Sequence, residues 1–273
     1  MSLKGKVAIV TGASRGLGVG MALELAHKGA SVMLLYTSDS STPKVTALLA
    51  QIASLPHSPP ATSCQADLSL PSAPSTVLAA LAAWPAASGK LDILVNNAGT
   101  ELNAPLGSIT PSDFASVYDL NVRAPLLLTQ ALLPHLNPRA RIINISSVGA
   151  RAGFAGLGLY CSSKAALEGL TRCWARELGG NGTTVNCVAP GPVQSDMLEN
   201  IPREIVEMQM AQTPVGRRVE TKMTKKEDIV RRAMNMQSHI AVQEHFNMAH
   251  CGLMQVHYCE SKILCGWHAL PLR

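Results

Sequence analysis

Thr11-Gly12-Ala13-Ser14-Arg15-Gly16-Leu17-Gly18 is the stretch that decides the fold. It follows an apolar run at residues 6–10 and leads into residues 19–28, whose apolar spacing reads as a helix closed by Gly29. Glycines let a backbone turn sharply and approach a pyrophosphate. The helix that follows offers N–H donors and the positive end of its dipole. The pattern alone fits any tight strand-to-helix turn. Its position on the first such turn is what points to a dinucleotide.

Strand and helix patterns alternate outward from this turn. Strands are expected at residues 31–36, 62–66, 91–95, 141–146 and 183–188. Helices are expected at 42–55, 71–83, 112–136 and 160–178, with Pro125 marking a kink or an irregular turn in the third. Apolar strands alternating with helices imply an α/β fold, a Rossmann-type doubly wound parallel sheet with helices on both faces.

Of the 273 residues, 47% are hydrophobic and 15% are charged, a globular composition able to bury a sizeable core. No apolar run reaches the roughly 18–20 residues of a membrane span, and no apolar signal core follows the N-terminus. A cytoplasmic protein without a membrane partner is expected. Seven cysteines without a CxxC pair argue against a disulfide framework. The net charge is +5, but residues 1–215 carry 14 Lys and Arg against 13 Asp and Glu. The basic excess therefore sits in the tail, and the body does not read as nucleic-acid-binding.

The strand at residues 31–36 ends at Tyr36-Thr37-Ser38. A carboxylate there would bond a ribose 2′-hydroxyl and repel a 2′-phosphate. No carboxylate occupies that end, although Asp39 lies a little beyond, and Arg15 in the glycine turn is placed to meet a phosphate; the missing carboxylate and Arg15 together favour NADP. Asp67, after the third strand, either bonds an adenine amino group or caps a helix. Asn96-Asn97-Ala98-Gly99 closes the fourth strand with small residues against which a cofactor can lie. Tyr160 and Lys164 are four apart, so a helix stacks them on one face. A free phenol has a pKa near ~10, and a neighbouring ammonium lowers it toward the acid–base range. Ser147 ends the fifth strand, where its hydroxyl can donate to a carbonyl.

Five segments together, TGASRGLG, NNAG, NISS, YCSSK and PGPVQSDM, resemble the successive motifs of the short-chain dehydrogenase/reductase family, in order and spacing, across about residues 5–215. The resemblance implies an NADP-dependent oxidoreductase that interconverts a ketone and a secondary alcohol, with a 3-oxoacyl or polyketide-type ketone favoured. It implies that Tyr160 gives or takes the proton, Lys164 tunes it and binds the nicotinamide ribose, Ser147 orients the substrate, and Asn121 holds a relay water. It places Gly12, Gly16, Leu17 and Gly18 along the pyrophosphate, and Asp67 and Asn97 at the adenosine half. Val193 and Ser195 would meet the carboxamide, with Ser195 in place of the usual threonine, and Arg123 would approach the cofactor. Residues 196–216 correspond to the substrate lid.

The pattern stops after Arg218. A Rossmann domain is expected over residues 1–218, and a basic, poorly ordered tail over 219–273. The tail holds five of the eight histidines and three of the seven cysteines, without the paired spacing of a zinc site. No metal is expected. The family's last strand, which commonly builds a homo-oligomer interface, has no clear counterpart; residues 239–242 and 261–265 are the nearest candidates, and both are short. The sixth strand should then be an open edge. The tail also supports a rival reading, a catalytically impaired relative that binds cofactor or has no function.

Overall fold

A computed structural model describes residues 2–191 and 240–242. In chain order the elements are β1 (Val7–Val10), α1 (Gly16–His27), β2 (Ser31–Tyr36), α2 (Thr42–Ala53), β3 (Ala61–Gln65), α3 (Ala73–Ala83), β4 (Leu91–Asn96), α4 (Pro111–Tyr118), α5 (Ala124–Leu132), β5 (Leu136–Ile145), α6 (Gly149–Ala152), α7 (Gly158–Leu178), β6 (Thr184–Ala189) and β7 (Ile240–Val242). The strands form one parallel sheet in the order β3-β2-β1-β4-β5-β6-β7. The order reverses between β1 and β4, and the crevice at their carboxyl ends is where such sheets bind ligands.

The central strands β1, β2, β4 and β6 are largely apolar because both faces of the sheet are covered there, whereas β3 at the sheet edge is polar. Successive side chains alternate between the two cores. Ala8, Val10, Leu34 and Val95 pack against Met21 and Leu25 of α1 and Leu48 and Ile52 of α2. Ile9, Leu35 and Leu94 pack on the opposite face against Leu81 of α3, Leu128 of α5 and Trp174 of α7. Asn96 and Asn144 join β4 to β5 by a 2.8 Å side-chain hydrogen bond, and Asn144 donates in turn to Thr171 of α7. Among the described residues no helix is long and apolar enough to cross a membrane.

The single helix expected at 112–136 is divided. A capping box between Thr110 and Asp113 starts α4, with Pro111 in its first turn. A π-helical turn, Asp119–Arg123, then separates α4 from α5. Pro125 explains the break: in a regular helix its ring would strike the carbonyl of residue 121 and it has no N–H to bond there. β5 begins five residues earlier than expected and slips register against β4 between Leu91 and Ile93.

The fold class is as read, except that the last strand is present, within the short candidate at residues 239–242. Ile240, Ala241 and Val242 pair with Cys187, Val188 and Ala189 of β6. A run of only three apolar residues is enough to continue a parallel ladder, and it covers half of the six-residue β6. The rest of the tail, with the expectation of poor order, the domain boundary at 218 and the tail histidines, lies outside the described residues. So do Val193, Ser195 and the lid at 196–216.

Candidate active site

The glycine turn opens a cleft of about 510 Å³ at the carboxyl ends of β1 and β4. Gly12, Arg15, Gly16 and Leu17 lie on its wall. Gly12 and Gly16 have φ of +62° and +57°, a region that side chains disfavour. Gly18 has another task. A Cβ there would collide with the Gly12 carbonyl oxygen and come within 2.9 Å of Asn97 Nδ2, so its bare backbone lets α1 seat against the turn. Asn97 clasps the same turn, donating to the carbonyls of Thr11 at 2.9 Å and Gly12 at 3.2 Å.

The start of α1 suits an anionic group. Its N-cap, Arg15, makes no side-chain cap hydrogen bond, and no acidic residue lies in the first turn. The helix thus leaves N–H donors beside the cleft with a guanidinium next to them. Tyr36, Thr37, Ser38, Ser40 and Ser41 line the same end. Asp39 is exposed in a short turn and does not line the wall.

Ser147, Tyr160 and Lys164 meet at the other end of the cleft. Lys164 lies on α7 one turn after Tyr160, with its ammonium 5.8 Å from the ring centroid, and donates to the Ile145 carbonyl at 2.8 Å. Asn121 is buried behind the wall on the π-helical turn. Its amide exchanges hydrogen bonds with the Thr100 backbone, 2.9 Å from N and 2.8 Å to O, and donates to Ser163 Oγ at 3.0 Å. Ser163 in turn donates to the Tyr160 carbonyl at 2.7 Å. The irregular turn forced by Pro125 is therefore what ties α7 to the loop after β4.

The proton affinities differ from the sequence expectation. Burial pushes the Tyr160 phenol up to about 12, partly opposed by the Ser147 hydroxyl and reinforced by the charge of Glu101. Burial also pulls the Lys164 ammonium down to about 8. In the free chain, desolvation outweighs any lowering of the phenol by the lysine, because an ammonium that loses its proton near about 8 is already neutral where the phenol would ionise. The tyrosine is held as a neutral phenol, a proton donor.

Two expected contacts have other partners. Asp67 accepts from Ser69 N at 3.0 Å and Ser69 Oγ at 2.7 Å, and it does not line the cleft. Arg123 pairs with Asp119 at 2.8 Å and donates to the Ser69 carbonyl, also off the cleft wall. Conversely, Glu101, Phe154 and Leu157 line the cleft without having been singled out. Glu101 stands two residues past Gly99, a position whose only sequence signal was its nearness to the NNAG turn.

The model of the short chain dehydrogenase family matches residues 6–205. The short-chain dehydrogenase/reductase FrzI of Cladobotryum is 42% identical over 227 residues, covering 81% of this chain and 85% of its own. The hydroxynaphthalene reductase arp2 of Aspergillus fumigatus is 42% identical over 199 residues, covering 72% and 70%. Among solved structures, a blue fluorescent protein from a metagenomic library, in complex with NADPH, superposes with a TM-score of 0.81 at 35% identity, covering 91% of this chain and 100% of its own. The chain belongs to the short-chain dehydrogenase family.

Proposed function

We propose that this chain is an NADPH-dependent reductase that converts a ketone to a secondary alcohol. The observation that carries this reading is one cleft with two chemically distinct ends. One end offers the uncapped start of α1, Arg15 and a set of hydroxyls, with no carboxylate on its wall. That end suits the pyrophosphate and 2′-phosphate of NADPH. The other end gathers Ser147, Tyr160 and Lys164. When bound, the cofactor supplies the hydride. Ser147 donates a hydrogen bond that holds the ketone oxygen, and Tyr160, a neutral phenol, gives that oxygen its proton. Lys164 steadies the developing phenolate, while Asn121 fixes the Thr100 backbone and, through Ser163, the start of α7.

For the ketone we infer a 3-oxoacyl or polyketide-type substrate; likeness to a 3-oxoacyl (acyl-carrier-protein) reductase supports the first, and likeness to a reductase named for an aromatic hydroxynaphthalene is compatible with the second. Nothing among the described residues favours an impaired relative, since the four polar side chains are in place. The test is a panel of carbonyl compounds with NADPH and with NADH. Reduction with a marked preference for NADPH supports the reading. Equal kinetics with both cofactors would remove the phosphate assignment.

A further inference from the structure

Glu101 is the single carboxylate among the described residues that line the cleft. The double hydrogen bond between Asn121 and the Thr100 backbone fixes the chain immediately before it. The loop there runs close to the reacting end: a Cβ at Gly99 would lie 3.1 Å from Lys164 Nζ. Glu101 is near enough for its charge to act on the Tyr160 phenol, and burial holds its own carboxyl above the usual range. Among the described residues it joins none of the four ion pairs and none of the side-chain hydrogen bonds. A half-buried carboxyl with no donor is costly, whereas one whose donor arrives with a ligand is selective.

We infer that Glu101 is a specificity-determining residue that binds a hydroxyl of the ketone substrate beside the reacting carbonyl. This rests on the reductase reading above and favours hydroxylated ketones, the polyketide-type branch of that reading, over 3-oxoacyl chains, which offer no such hydroxyl. The cofactor's anionic groups do not suit Glu101, because Arg15 and the start of α1 hold the opposite end of the cleft. A hydroxyl fits better than a substrate cation, since a cation would meet the like charge of the Lys164 ammonium, which stands 3.1 Å from where a Cβ at Gly99 would lie. Two carboxyl oxygens also accept from two adjacent hydroxyls, which favours polyhydroxy over simple ketones. Val148, Phe154 and Leu157 add apolar side chains to the same cleft.

The experiment compares kcat/KM for matched ketones with NADPH: acetone, hydroxyacetone, dihydroxyacetone and aminoacetone, with tetralone against a hydroxytetralone. The unaltered protein should favour each hydroxylated member over its parent by about 10- to 100-fold, the range of a hydrogen bond to a charged group. Glu101→Ala should collapse that ratio, Glu101→Gln should keep part of it, and neither should change the Kd of NADPH. A ratio near one, or one untouched by Glu101→Ala, would overturn the assignment and leave the reductase reading standing. Preference for aminoacetone alone would overturn it in favour of a cation site. Loss of NADPH affinity in Glu101→Ala would show a cofactor contact instead. Failure of the unaltered protein to reduce any ketone would remove the reductase reading and this assignment with it.

Discussion

At the scale of single residues, burial rather than pairing governs the chemistry. Lys164 is fully desolvated and its ammonium is pulled down from 10.5 to about 8. A base whose pKa is lowered keeps its charge below that value and loses it above. kcat/KM for NADPH, which reports free-enzyme ionisations, should therefore fall as pH rises through about 8. Tyr160, at about 12, should contribute no fall over the same range. A profile flat between pH 7 and roughly 10 would show that the Lys164 charge is not needed. The 2′-phosphate end gives a second expectation. Tyr36→Asp places a carboxylate among Thr37, Ser38 and Arg15. It should raise the Kd of NADPH at least ~10-fold while NADH binding holds or improves, as expected of like-charge repulsion. An unchanged preference would mean that the phosphate lies elsewhere.

At the scale of elements, the periodic segments were legible and the irregular ones were not. Apolar runs bounded by glycine or proline placed β1, β2, β4 and β6 within a residue or two, because strands buried on both faces leave a strong pattern. Pro125 marked an irregularity in this region, but the π-helical form of the turn at Asp119–Arg123 was not legible, since proline signals a break but not which way the turn relaxes. Site residues carried on motifs, such as Tyr160 and Lys164, could be found because their spacing has a helical meaning. Glu101 could not, because an irregular loop after Gly99 has no period to read. The partners of Arg123 also needed the fold, as Ser69 is far away in the chain. The short β7 carries its own expectation. Deleting residues 219–273 removes its pairing with Cys187, Val188 and Ala189 and bares the β6 edge. The truncated chain should lose several degrees in Tm and aggregate on heating; a Tm matching the full chain would show that β7 adds nothing. The first turn is tested by Gly18→Ala, whose added Cβ would strike the Gly12 carbonyl oxygen. NADPH affinity, read by fluorescence titration, should fall at least ~10-fold as the turn shifts, a cost of roughly 1.4 kcal/mol.

At the scale of the whole molecule, one sheet brings together side chains far apart in sequence. Arg15 and Tyr36 come from the first βα units, and Ser147, Tyr160 and Lys164 from the strand and helix near its other end. A cofactor spanning that distance would link the two halves of the sheet. NADPH at ~100 times its Kd should stabilise the fold by about 2.7 kcal/mol, a rise in Tm of roughly 5–10 °C for a domain this size. NADH at the same concentration should do less, and equal shifts would contradict the phosphate assignment. The central claim is proton transfer from Tyr160 to a ketone oxygen during NADPH-dependent reduction. Its most direct measurement is NADPH consumption by the unaltered protein and by Tyr160→Phe, on one ketone, with alcohol product quantified. The account predicts one alcohol formed per NADPH consumed, and a loss in kcat of ~10²- to 10⁴-fold in Tyr160→Phe with the Kd of NADPH nearly unchanged. Near-normal turnover in Tyr160→Phe would contradict it.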